Sequence, residues 1–200
     1  MIKIYGPKMS SAARNHWMLA ELGQEYEHVQ MDMRAKDHKK PEFLELNPTG
    51  QVPVMVDGDV VLFESMAINE YLGLKFKPEM LGETIVEKAN ALKWSIWSYL
   101  NIQKYFGTIA YQTLWATEKD QSAIDKATAE VAPFLAILDK HLEGKTFLLG
   151  DKFTVADINA GVAVGYGAMT GFDFTSYPNL AKWFGTLSSR PAFIKANKEQ

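Results

Sequence analysis

The apolar pattern of this chain changes character once, across residues 78–82, and that change limits the folds open to it. Before it, short apolar runs bounded by turn residues alternate with longer segments at helical spacing, the mark of mixed strands and helices. After it the spacing is helical throughout, broken only near 117–121, 144–152, 171–178 and 188–191. A sheet cannot draw strands from a segment that has none. The pattern therefore predicts an α/β domain over 1–77, a linker at 78–82 marked by Pro78 and Gly82, and an all-helical (all-α) domain over 83–200.

Within the first domain, residues 2–5 alternate as a strand does, and Gly6-Pro7 interrupts them. Ser10 and Ser11 then precede an amphipathic helix carrying Ala12, Ala13, Trp17, Met18, Ala20 and Leu22, closed by Gly23. Residues 26–33 make a second strand candidate and 41–46 a short helix, and Asn47-Pro48-Thr49-Gly50 forces a turn. Residues 52–56 and 59–63 read as a hairpin about Asp57-Gly58. Ser65 is expected to cap a helix that carries Ile68, Tyr71 and Leu72 on one face. In the second domain Thr154 to Asp157 spells a capping box, with Phe153 and Ile158 placed as a hydrophobic staple; its expected role is to start a helix.

Composition narrows the chemistry. A net charge of −3 disfavours a nucleic-acid binder held by bulk positive charge. The absence of cysteine excludes a disulfide framework, a cysteine-ligated metal and a protein thiol nucleophile, so any sulfur chemistry must use sulfur that a ligand brings. His16, His28, His38 and His141 show no metal-ligand spacing, and no metal is expected. No apolar run reaches the ~18 residues a membrane helix needs, and the first residues lack a signal-peptide pattern. A cytoplasmic protein without a membrane partner is the expectation.

Four segments resemble the cytosolic glutathione transferase family, in order and at family spacing. Tyr5-Gly6-Pro7-Lys8-Met9-Ser10, with Arg14 four residues on, is similar to the serine-type start of the theta, delta and phi classes. Residues 37–44 followed by 47–53 resemble the phi class, Glu64-Ser65 with Ala67-Ile68 is similar to the glutathione-binding helix start, and Thr154 to Asp157 matches a feature of the second domain. Met66 departs from the polar or basic residue common there, and the Ser10–Arg14 spacing is delta-like beside a phi-like loop. The resemblance implies a thioredoxin-like N-terminal domain followed by the helical one, glutathione as co-substrate and a homodimer. An apolar face of Phe76, Met80 and Leu81, expected to be exposed, also points to a dimer.

Glutathione carries two carboxylates, one ammonium and one thiol, and the sequence offers a group for each. Ser65 at a helix N-terminus suits the γ-glutamyl carboxylate, and Glu64 can answer the ammonium. The resemblance implies a cis Val52–Pro53 bond that turns the backbone of Val52 toward the cysteinyl unit, with Gln51 beside it and His38 and Lys39 at the glycine carboxylate. Ser10 is the expected donor to the thiolate, with Tyr5 and Ser11 as its rivals. Tyr105 and Ile109 are nominated for a pocket holding a hydrophobic electrophile. Conjugation to such an electrophile, with peroxidase side activity, is the leading reading. A non-catalytic binding module and a glutathione-dependent isomerase or dehalogenase stand as alternatives.

Overall fold

In the computed structural model, which describes residues 1–198, four short strands form one sheet. They are β1 (Lys3–Tyr5), β2 (Glu27–Val29), β3 (Val54–Asp57) and β4 (Val60–Phe63), in the order β2-β1-β3-β4. The helices are α1 (Ala13–Glu21), α2 (Pro41–Leu44), α3 (Ser65–Phe76), α4 (Ile85–Ser98), α5 (Lys104–Ala110), α6 (Gln121–Leu142), α7 (Val155–Met169), α8 (Pro178–Ser188) and α9 (Pro191–Asn197). Two units result, 1–78 with 190–198 and 79–189.

In the first unit β1 runs parallel to β2, which requires the α1 crossover, and antiparallel to β3. Helix α1 ends as its glycine implies: Gly23 at φ +65° lets its own N–H reach Ala20 and that of Gln24 reach Leu19, a Schellman closure. The hairpin forms, but Asp57 pairs with Val60, so the turn residues are Gly58-Asp59, one position beyond the expected pair. The Asp57 carboxylate explains this, because Tyr71 Oη and Lys75 Nζ of α3 hold it within the strand. Strand β2 is shorter than the expected 26–33. Met31 turns inward to pack with Phe43 and Val54, while Asp37 accepts the N–H of Asp32 and Asp32 those of Arg34 and Ala35. These local bonds compete with a ladder.

Three expectations need correction. Residues 83–200 do not form a single domain, because the chain returns to the first unit at Arg190. Arg190 grips Glu21 with two hydrogen bonds of 2.6 and 2.8 Å, and Phe193 meets Trp17 edge-on at 4.9 Å. Ser65 is not the cap of α3 but its first residue; Glu64 is the cap and offers no side-chain bond. The face expected to be exposed is not: Met80 and Leu81 are buried.

The second unit is built on α7, whose residues 155–164 are buried on every side. Asn159 Nδ2 donates to Ser95 Oγ of α4 at 3.0 Å, and a Cβ at Gly167 would lie 2.7 Å from the Phe106 ring, so only glycine admits that contact. A second capping box that sequence reading passed over, Thr84 with Glu87, starts α4. Single π-helical turns, Tyr99–Gln103 and Tyr111–Trp115, flank α5. Among the described residues no helix is long and apolar enough to cross a membrane.

Candidate active site

The turn that opens α1 is organised by two hydroxyls. Ser10 Oγ donates to Pro7 O at 2.6 Å and accepts the N–H of Ala12 at 3.2 Å, and the chain tightens through Ala13 N–H to Ser10 O before α1 begins. Ser10 is half-exposed, so its hydroxyl can exchange Pro7 for another acceptor. Ser11 behaves differently: its Oγ donates to Val52 O at 2.9 Å, across to the strand segment where Val52–Pro53 is cis. That bond occupies one of the two lone pairs on the Val52 carbonyl and ties the Ser10 turn to residues 51–53. Tyr5 packs by its ring with Phe43, centroids 6.3 Å apart, against the cluster of Met31, Phe43 and Val54.

At the start of α3 the backbone is unusual. Glu64 has φ +72° and ψ 108°, a conformation costing a non-glycine residue on the order of 1–3 kcal/mol, and its side chain is exposed. Ser65 follows, buried, and its hydroxyl accepts from Arg14 Nη1 at 3.4 Å. Arg14 is wholly buried in α1. A guanidinium beneath a helix N-terminus sums two positive contributions at the first turn of α3, where an anion is favoured. Sequence reading used Arg14 only as a spacing mark; its burial, the observation that gives it an electrostatic role, could not be read from spacing. Asn15, also unforeseen, donates to Ser65 O and Asn69 Oδ1, both at 2.8 Å, and so fixes α1 to α3.

Residues 38–51 are held by a different polar group. Buried Asn47 donates to Gln51 O at 2.8 Å and accepts from the N–H and hydroxyl of Thr49, closing the turn that presents an exposed Gln51. Lys39 Nζ donates to Gly50 O at 2.8 Å and Thr49 O at 3.4 Å, leaving one of its three donors for other use. Gly50 is required here, since its φ is +59° and a Cβ would stand 2.9 Å from the His38 carbonyl oxygen. His38 is half-buried, with Nδ1 enclosed and lacking a hydrogen-bond partner. In the second unit Tyr105 stacks on Phe134 at 6.0 Å and Ile109 is buried within α5. Among the described residues no cluster of three or more His, Asp or Glu is placed to hold a metal.

Burial beside His28 lowers His16 to a pKa of about 3, and Tyr26 Oη contacts its Nδ1 at 2.9 Å. With the folded value below the unfolded 6.5, the folded state holds fewer protons between those values. Stability present above pH 6.5 is therefore lost as pH falls toward 3, by at most about 1.4 kcal/mol per pH unit. Urea denaturation at pH 7 and pH 5 is expected to show a loss of roughly 2 kcal/mol in the native chain that is absent from His16→Leu. Equal losses in both would assign the acid sensitivity elsewhere.

Comparison with known proteins agrees over nearly the whole chain. Residues 2–73 match the family model described as glutathione S-transferase, N-terminal domain, and residues 88–191 the corresponding C-terminal domain. The chain is 32% identical to glutathione S-transferase 3 of Zea mays, over 97% of this chain and 92% of that one. A solved glutathione S-transferase-I bound with lactoylglutathione is 32% identical at a TM-score of 0.89, covering 98% and 97%. The theta class enzyme from Xanthomonas axonopodis pv. citri, with glutathione bound, superposes at 0.92 with 27% identity, covering 100% and 98%.

Proposed function

The chain belongs to the glutathione S-transferase family, and from that premise we propose that Ser10 activates the thiol of bound glutathione for attack on hydrophobic electrophiles. The chain is a glutathione transferase with glutathione as co-substrate. The observation that carries the assignment to Ser10 is the pair of serine hydrogen bonds: the Ser11 hydroxyl donates across to Val52, whereas that of Ser10 donates to a neighbouring carbonyl that it can release.

The thiolate is the nucleophile, and a thiol with a pKa near ~8.5 is only a few per cent ionised at pH 7. A hydroxyl turned from Pro7 O toward sulfur stabilises the anion, and the proton leaves to water, so no protein base is required. The sulfur lone pair then forms the carbon–sulfur bond as the electrophile's leaving group departs or its π-bond opens. Ser65, with the first N–H groups of α3 and Arg14 behind them, receives the γ-glutamyl carboxylate, and Glu64 the ammonium. The Val52 backbone pairs with the cysteinyl unit, supported by Gln51. His38 and the remaining donor of Lys39 meet the glycine carboxylate. Tyr105 and Ile109 belong to the electrophile side of this reading.

Removing Ser65's hydroxyl tests the remote half of the site. Ser65→Ala is expected to raise the glutathione KM about tenfold with kcat nearly unchanged, because a bond to a charged group remote from sulfur contributes uniform binding worth ~1.5–3 kcal/mol. An unchanged KM in steady-state assays with an aryl halide would reduce Ser65 to a structural residue.

We also propose a homodimer, now on residues other than the linker's. The first unit exposes Val60, Val61 and Phe63 on the edge strand β4, and the second exposes Ile85, Leu92 and Ile96 at helical spacing along α4. An edge strand and a helix stripe left uncovered by their own units suit an isologous partner. Sedimentation at micromolar concentration is expected to give twice the 22.5 kDa chain mass, and a species at 22.5 kDa would remove the dimer.

A further inference from the structure

Behind the Ser10 turn lies a histidine that neither the strand nor the crossover requires. His28, in β2, stands 2.8 Å by Nε2 from the carbonyl oxygen of Gly6. That oxygen can only accept, so the ring carries its proton on Nε2. Gly6 begins the loop that ends at Ser10. Its φ of +131° belongs to glycine alone, and a Cβ there would meet Val52 at 3.0 Å and Ala12 at 3.3 Å. Its N–H donates to Val29 O at 3.2 Å. The Gly6 residue is thus held on its N–H side by the β2 backbone and on its carbonyl side by the His28 imidazole.

The chain from Gly6 to Ser10 starts from that attachment. Pro7 supplies the carbonyl on which the Ser10 hydroxyl rests, and Lys8 is tied by Nζ to Lys198 O at 2.6 Å. The imidazole itself has limited freedom, because the His16 ring meets it edge-on at 4.5 Å and Tyr26 holds His16. The His28 ring also borders a cleft of about 340 Å³ lined by Lys8, Gln24, Glu25, Tyr26 and Lys195, and the contact of its Nε2 is the Gly6 carbonyl.

We propose that His28 is a positioning residue for thiol activation: by donating to the Gly6 carbonyl it sets the turn from which Ser10 reaches the sulfur. The inference rests on the assignment of thiol activation to Ser10. Three variants of the protein separate the two claims, namely Ser10→Ala, His28→Leu, which fills the volume without a donor, and His28→Gln, whose amide can still reach Gly6. His28→Leu is expected to raise the apparent thiol pKa in the kcat/KM profile for an aryl halide at saturating glutathione by about half a unit and lower kcat roughly threefold to tenfold, with the glutathione KM within about twofold. His28→Gln recovers most of both. In the Ser10→Ala background His28→Leu adds less than about twofold, since one acts through the other.

If His28→Leu moves only the melting temperature, or its full effect persists without the Ser10 hydroxyl, the positioning role is overturned while the Ser10 assignment stands. If Ser10→Ala itself leaves the profile unchanged, the assignment fails and this inference with it. Should His28→Leu not fold, Gln against Asn reads the same contrast, because the shorter amide falls short of Gly6. Equal profiles for those two variants overturn the role.

Discussion

Ser10→Ala is expected to lower kcat about tenfold or more while leaving the glutathione KM within a few-fold, and the two rival hydroxyl variants, Tyr5→Phe and Ser11→Ala, are expected to leave kcat near native. Ser10's bond to Pro7 is local and releasable, so the free protein loses little when it goes. On the proposed assignment the hydroxyl donates to sulfur in the complex, and each unit by which it lowers the thiol pKa is worth ~1.4 kcal/mol. Ser11 is committed to Val52 and can affect how glutathione's backbone seats, a KM effect. Tyr5 has its ring in a side-chain cluster with Phe43. Steady-state kinetics with one aryl halide across the three variants reads the contrast.

Asp157→Ala is expected to cause the largest loss of stability of any change considered, about 3–5 kcal/mol, with a fall in Tm of roughly 10 °C. Its carboxylate has no exposed surface and serves four donors: Leu148 N–H at 2.8 Å, Trp183 Nε1–H at 3.0 Å, Thr154 N–H at 3.0 Å and the Thr154 hydroxyl at 3.3 Å. Burial pushes the carboxyl above its ordinary range and these bonds pull against it. Truncation leaves all four donors buried without an acceptor, the costly half of the hydrogen-bond asymmetry. Asp157→Asn, which keeps one acceptor oxygen, falls between. A drop of less than about 2 °C for Asp157→Ala in calorimetry would show that water or repacking satisfies those donors.

Asp157 also shows where sequence reading stops. A capping box is a local pattern, and Thr154 with Asp157 was legible as a helix start; the reach of the same carboxylate to Leu148 and to Trp183 of α8 depends on tertiary placement. The hairpin and the Gly23 closure were legible for the same reason, because each depends on a few adjacent residues. The partnership of Glu21 with Arg190 spans 169 residues and left no periodic trace, so the return of α9 to the first unit was missed. Helix α1 read as amphipathic, yet Arg14, Asn15 and His16 on its polar face are buried too. Those three carry the electrostatics behind Ser65, the link to α3 and the acid sensitivity, none of which a period of 3.6 reveals. Among the candidate residues, Ser10, Val52 and Ser65 are legible from motif positions, whereas the strained backbone of Glu64 is a property of the folded chain that no motif marks.

The central claim is that a serine at the mouth of α1 ionises a thiol the protein does not itself possess. The pH dependence of kcat/KM for an aryl halide at saturating glutathione tests it most directly, since the enzyme–glutathione complex is then the form whose ionisation that profile reports. In the native protein its apparent pKa is expected about one to two units below the ~8.5 of a free thiol, rising by about one unit or more in Ser10→Ala and unmoved in Tyr5→Phe. A profile that Tyr5→Phe displaces and Ser10→Ala leaves in place would contradict the account.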